Sequence, residues 1–176
     1  NGKIVGITGT RGKTTTTSLV YHILKESGFD CLLGGNIQGV STLALLNKKH
    51  KKGTVAILEL DSWQLQGFDY LKISPDISIF TNLYRDHMNY YKNDMNLYFR
   101  DKASIFLNQG NESVLIAGEN IYKKIKSEYG EKIKSRIIKT KTKDLPNNIK
   151  HKLLGKHNLE NLICAIITAR EFGISD

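Results

Sequence analysis

Only two cysteines, Cys31 and Cys164, stand in this 176-residue chain, far apart and each among apolar neighbours. Two such thiols make neither a disulfide framework nor a metal-ligand pair, so buried free thiols in a reducing compartment are expected. Long apolar runs are missing too. Nothing approaches the roughly 18 residues of a membrane span, and no signal-peptide pattern opens the chain, which points to a cytoplasmic protein that does not enter a membrane. Internal repeats and long low-complexity segments are absent from the sequence. An initiating methionine is absent as well: Asn1-Gly2-Lys3 runs straight into a strand-like stretch, as expected of a segment of a longer protein.

What is present is a globular composition. Hydrophobic residues make up 40% and charged residues 24%, too apolar a mixture for a disordered chain. The length suits one domain, residues 1–176, with room for a sizeable core. Lysine and arginine number 26 against 17 aspartates and glutamates, a formal charge of +9. That excess is local. Residues 120–156 carry twelve cations and three anions, while the remaining chain holds fourteen of each sign. The basic stretch is mostly lysine, with only Arg136, Tyr122 and Tyr129 interleaved. A solvated face is expected there rather than a nucleic-acid surface, which would interleave more arginines and aromatics.

Strand-like and helix-like segments alternate. Lys3–Thr8 predicts a short buried strand, followed by a glycine-rich turn and a helix from Lys13 to Ser27 that Gly28 closes. Phe29–Leu33, Val55–Leu60, Ile77–Thr81 and Ser113–Ala117 predict further strands, and Ile137–Thr140 an edge strand. Helices are expected at Leu43–Leu46, Asn96–Leu107, Ile121–Tyr129 and His157–Phe172, and a solvated turn at Lys48–Lys52. The pattern predicts an α/β fold, a mostly parallel sheet flanked by helices on both sides.

The most informative segment runs Gly6-Ile7-Thr8-Gly9-Thr10-Arg11-Gly12-Lys13-Thr14-Thr15, between the first strand and the first helix. Glycines there let backbone N–H groups crowd around phosphate oxygens, and the helix N-terminus adds a favourable dipole. Lys13 is placed to reach the β- and γ-phosphates, and the Thr14 hydroxyl to ligate Mg²⁺. The general phosphate-loop pattern wants a glycine five residues before Gly12, where Ile7 stands, so the strict match fails while Gly9-x-x-Gly12-Lys13-Thr14 remains.

Gly9-Thr10-Arg11-Gly12-Lys13-Thr14-Thr15 resembles the ATP loop of the Mur ligases, usually Gly-Thr-Asn-Gly-Lys-Thr-Thr. Four further segments resemble that family in the same order: Gly34-Gly35-Asn36; Glu59-Leu60-Asp61-Ser62-Trp63-Gln64-Leu65; Thr81-Asn82 followed by Asp86-His87; and Gly155-Lys156-His157-Asn158-Leu159-Glu160-Asn161. The stretch from Glu59 is most similar to the D-glutamate-adding branch. Arg11 for Asn, Asp61 for Ser, Trp63 for Phe and Asn89 for Asp depart from the usual pattern.

The resemblance implies the central ATP-binding domain of an amide-forming ligase, with UDP-binding and C-terminal domains lying outside this chain. ATP would convert a substrate carboxylate to an acyl phosphate, which an amine then displaces. ATP and Mg²⁺ are the implied cofactors, UDP-N-acetylmuramoyl-L-alanine and D-glutamate the implied substrates, and a monomer the implied state. Gly9, Thr10, Arg11, Gly12, Lys13, Thr14 and Thr15 would hold ATP phosphates, and Asn158 and Asn161 the adenine. Asn36 and His87 would contact substrate. Thr14 and Glu59 would hold the first metal, since a strand-end carboxylate is costly to bury unless paired or metal-bound and magnesium favours oxygen ligands.

His87 and Lys102 would serve a second metal, with Lys102 carbamylated, and Lys13, His87 and Lys102 would be the catalytic set. By its own pattern Lys102 is an ordinary helix lysine, and Asn158 competes as a helix cap. Three alternatives stay open: a sister ligase such as a folylpolyglutamate synthase or another stem-peptide ligase, a nucleotide-binding module without chemistry, and a basic nucleic-acid protein.

Overall fold

Six strands pair entirely in parallel in the computed structural model, which describes residues 2–39, 42–47, 50–146, 149, 151 and 155–175. They are β1 (Lys3–Thr8), β2 (Cys31–Gly35), β3 (Val55–Glu59), β4 (Ile77–Phe80), β5 (Val114–Ala117) and β6 (Arg136–Lys139), in the order β2-β3-β1-β4-β5-β6. The helices are α1 (Lys13–Glu26), α2 (Ser62–Leu71), α3 (Met95–Leu107), α4 (Glu119–Tyr129) and α5 (Lys156–Glu171). The expected α/β architecture is present, with β6 at an edge and a short 3-10 turn at Leu43–Asn47. Lys48 and Lys49 of the expected turn lie outside the described residues.

Strand residues are apolar on both faces because two helical layers cover them. On one side Val5, Ile7, Ile57, Ile79 and Ile116 pack with Val20 and Leu24 of α1 and Ile163 and Ile167 of α5. On the other, Phe80, Leu115 and Ala117 meet Leu65 of α2, Phe99 and Phe106 of α3, and Ile121 and Ile125 of α4. Both cysteines are buried free thiols, and burial pushes the Cys164 thiol up to about 12.

Two elements differ from expectation. The second strand starts two residues late, because Phe29 packs edge-on against Phe172, 5.3 Å between centroids, while Gly34 and Gly35 continue the ladder beside Leu58 and Glu59. Helix α2 is not among the expected elements: it is only ten residues long with Gly67 in its middle, although Leu65 and Phe68 pack on the core from one face. Its start is nonetheless encoded by a capping box. Asp61 Oδ1 accepts from Gln64 N at 2.8 Å, and Gln64 Oε1 accepts from Asp61 N at 3.1 Å.

Gly35 is a close-approach position. Its φ is +94°, and a Cβ built there would sit 1.9 Å from the Glu59 carbonyl oxygen. Gly35→Ala is expected to lower unfolding free energy by about 2–4 kcal/mol in urea titration, since backbone on both sides must shift.

The lysine-rich stretch is a solvated face as expected. α4 buries only Ile121 and Ile125, and cations pair along the surface: Lys124 with Glu128, Arg136 with Glu171, and Lys139 with Glu119. Lys150 and Lys152 lie outside the described residues.

Candidate nucleotide and metal site

Neighbouring strands β1 and β3 feed helices on opposite faces, since α1 joins one core layer and α2 the other. A crevice therefore opens beyond their carboxyl ends, the position where parallel α/β sheets bind ligands. The phosphate loop leaves β1 into that crevice, and Glu59 ends β3 beside it, in register with Ile7 and Gly35.

Gly12 takes the left-handed conformation, φ +80°, and precedes α1 with no side-chain cap and no acidic residue in the first turn. Its uncapped N–H groups and positive dipole end suit an anion. The glycine that the general pattern seeks at position 7 is unnecessary here, because Ile7 is a fully buried strand residue. Gly9 is the constrained position: φ is +147°, and a Cβ would lie 2.0 Å from Thr81 Oγ1.

The end of β4 clamps the loop. Asn82 Oδ1 accepts from Arg11 N at 2.9 Å, Asn82 Nδ2 donates to Arg11 O at 3.0 Å, and Asn82 O accepts from Thr10 N at 3.0 Å. Thr81 Oγ1 donates to Arg11 O at 2.8 Å. The Thr81-Asn82 pair stood out in the sequence without a role, and its work is to hold the loop backbone. Lys13 folds over the same loop, its Nζ 3.3 Å from the carbonyls of Gly9 and Thr10. Arg11 keeps its side chain exposed, and so does Thr14 at the start of α1.

Glu59 is not an exposed strand-end carboxylate. It is 3% exposed, and its Oε2 is buried with no hydrogen-bond partner. Such an oxygen is costly unless something polar or cationic meets it. Among the described residues no three His, Cys, Asp or Glu side chains gather as a metal cluster. The buried Glu59 oxygen is a hard donor of the kind magnesium takes, one or two from protein with water and phosphate filling the shell. Glu59 and the Thr14 hydroxyl are the residues that would hold it.

Lys102 differs most from the sequence reading. It is 2% exposed, with Nζ donating to Gly9 O at 3.0 Å and Thr8 Oγ1 at 3.3 Å, and lies 4.9 Å over the Tyr98 ring. Burial first, and Lys13 second, bring its ammonium down to about 7, against the pull of Asp61, Asp86 and Glu59. An unfolded lysine keeps its proton to about 10.5, so between these values the native state binds fewer protons and stability rises with pH. Between about pH 7 and about pH 9, wild-type protein without nucleotide is expected to gain about 2 kcal/mol relative to Lys102→Met in urea unfolding. An equal difference at both pH values would sink that assignment.

His87 stands in the left-handed region, φ +55°, with its side chain 41% exposed and Nε2 3.9 Å from Asp86 Oδ2. Its ring lies 6.1 Å from that of Tyr98, so it shares the crevice with Lys102. Asn36 is exposed just past β2, its N–H donating to Glu59 O at 2.8 Å. At α5 the cap is Gly155, so Asn158 is a helical residue and not the cap. Asn161 is 4% exposed, and its Oδ1 lies 2.3 Å from where a Gly12 Cβ would be. It therefore packs against the phosphate loop itself. Arg11, Asn82, Tyr84, His157 and Glu160 surround a cavity of about 370 Å³ there. Lys13, Glu59, His87, Lys102 and Asn161 thus meet around the phosphate loop, with Asn36 beside Glu59 and Asn158 in the first turn of α5, while Tyr98 and Asp101 join them unforeseen.

A clamped phosphate loop, an unpartnered carboxylate and a buried lysine on one parallel sheet define a nucleotide-phosphate-binding α/β domain. Residues 7–146 match the Mur ligase middle domain, and the chain belongs to that family. It is 44% identical over 134 residues to the UDP-N-acetylmuramoylalanine–D-glutamate ligase of Borreliella burgdorferi (strain ZS7), a match covering 76% of this chain and 28% of the relative. The Leptospira interrogans (serovar Lai) enzyme of the same name is 36% identical, over 98% of this chain and 39% of its own length. The chain therefore spans well under half of these relatives. Among solved structures, the MurF ligase of Thermotoga maritima in complex with ADP superposes with a TM-score of 0.74 at 16% identity, covering 99% of this chain and 46% of that one. That likeness concerns the fold.

Proposed function

We propose that residues 1–176 form the central nucleotide-binding domain of a D-glutamate-adding Mur ligase, whose UDP-binding and C-terminal domains lie elsewhere in the full-length protein. The reaction is ATP-dependent amide formation between UDP-N-acetylmuramoyl-L-alanine and D-glutamate. The observation that carries it is the buried, unpartnered Glu59 Oε2 at the strand end beside the phosphate loop. An oxygen so placed is costly unless a cation meets it, and a magnesium ion there would serve both nucleotide binding and phosphoryl transfer.

The substrate carboxylate attacks the γ-phosphoryl group, giving an acyl phosphate and ADP. The D-glutamate amine then adds to the acyl carbon, and the tetrahedral intermediate expels inorganic phosphate to leave an amide. Lys13 leaves the Gly9 and Thr10 carbonyls to neutralise the transferring oxygens, and the N–H groups of the loop and of α1 receive the remaining charge. Magnesium held by Glu59 and Thr14 would supply further charge neutralisation at the phosphates.

Arg11 lends a second cation at the mouth of the loop, and Asn158 and Asn161 face the nucleotide base. Asn36 and His87 orient the substrate carboxylate. Lys102, brought down to about 7, is partly neutral near physiological pH, the form that adds to carbon dioxide to give a carbamate and a proton.

Phosphate release by the full-length protein, with Mg·ATP, UDP-N-acetylmuramoyl-L-alanine and each candidate amino acid, tests the proposal. Release that requires D-glutamate is the expected result. Release with another acceptor would move the protein to a sister ligase, and none with any acceptor would leave a binding module.

A further inference from the structure

The rings around His87 form a continuous row. Trp63 meets the imidazole edge-on, 4.8 Å between centroids at 70°, and Tyr90 braces Trp63 at 5.5 Å. Beyond His87 lies Tyr98, 6.1 Å away, buried, with its hydroxyl 3.4 Å from Thr10 Oγ1 in the phosphate loop.

The His87 backbone is held in its loop, its N–H donating to Asp86 Oδ1 at 2.9 Å and its carbonyl accepting from Tyr90 N at 3.0 Å. Its ring is less constrained: the backbone lies in a region that non-glycine residues seldom occupy, and among the described residues the ring is within ion-pair reach only of Asp86, at 3.9 Å. Trp63, by contrast, rises from the first turn of α2, whose start is locked by the Asp61–Gln64 box. The same helix is tied to α3 and to the His87 loop through one carboxylate. Asp101 Oδ2 accepts from Gln66 Nε2 at 2.7 Å and from the Tyr91 hydroxyl at 3.1 Å. A rigid helix thus carries the indole that flanks a loop-borne imidazole.

We propose that Trp63 is a positioning residue: it holds the His87 ring between indole and Tyr98, aimed at the phosphate-loop side of the crevice. The role rests on the proposed function, since it matters only if His87 takes part in turnover. Displacing a reacting group by about 1 Å costs up to about 100-fold in rate.

The test is steady-state phosphate release by the full-length protein carrying Trp63→Ala, Trp63→Leu, Trp63→Phe, His87→Ala and the Trp63→Ala/His87→Ala pair, each checked by thermal melting. Trp63→Ala and Trp63→Leu are expected to lower kcat by about 10-fold or more with KM for ATP within about 2-fold, and Trp63→Phe to recover most of the rate. Because the indole acts through the imidazole, Trp63→Ala added to His87→Ala should cost nothing further. Full turnover in Trp63→Ala and Trp63→Leu alongside a crippled His87→Ala would overturn the positioning role alone, as would additive losses or a Phe variant no better than Ala. Full turnover in His87→Ala would overturn the assignment of the site together with it. Should Trp63→Ala fail to fold, the leucine variant carries the comparison.

Discussion

Lys13→Ala in the full-length protein is expected to cut phosphate release by on the order of 10²–10³-fold, with the melting temperature nearly unchanged. The expectation follows from what Lys13 touches. Its Nζ makes two long bonds to the loop's own carbonyls, which water replaces readily once the ammonium is gone. The loop's shape does not depend on Lys13, because Thr81 and Asn82 hold it from β4. Charge is therefore removed from the transferring phosphoryl group without disturbing the cradle. An activity loss of less than about 10-fold would mean that another cation does this work, with Lys102, whose Nζ shares the Gly9 carbonyl, and Arg11 as the candidates.

The second large effect has opposite signs in activity and stability. Glu59→Gln is expected to lower phosphate release by about 100-fold or more while raising the unfolding free energy of the nucleotide-free, magnesium-free protein by about 1–2 kcal/mol. A carboxylate with one oxygen buried and unpartnered is a liability when empty-handed, and a neutral amide of the same shape removes the ionic part of that cost. Magnesium should reverse the order. It is expected to raise the melting temperature of wild-type protein in the presence of ADP and to leave the variant unmoved, by the mass-action stabilisation of a bound ligand. A variant that is both less stable and equally magnesium-responsive would show that Glu59 is a structural residue.

How far the sequence carried these conclusions depended on whether a feature has a local cause. β1 and α1 appear where expected because a short apolar run, two glycines and a lysine-threonine start are adjacent in the chain. The alternation that predicts a parallel sheet is likewise written strand by strand. Helix α2 escaped notice because it is short and interrupted by Gly67, though Leu65 and Phe68 share its core face and its capping box was legible at Asp61 and Gln64. A serine at position 61 could cap the helix in the same way, so the box does not explain the departure to Asp61.

Burial of Lys102 was beyond local pattern altogether. Its neighbours Tyr98, Gly9 and Thr8 come from 4, 93 and 94 positions away, and only the closed fold shows that an ammonium is enclosed there. The clamp by Asn82 is of the same kind, its partners standing 71 positions apart. Asn161 shows both sides. Its spacing from Asn158 puts the two on one helix face, but its packing against Gly12 needed the tertiary structure.

The edge-on contact between Trp63 and His87 has a practical side. The chain contains one tryptophan and eight tyrosines, and excitation at the red edge of the indole band leaves the tyrosines dark. All emission then originates from a single ring, 40% exposed at the mouth of the crevice and touching the imidazole of the loop. Residues 1–176 thus carry their own optical probe, and a ligand that alters the surroundings of Trp63 or His87 is expected to change its emission in stopped flow without a label.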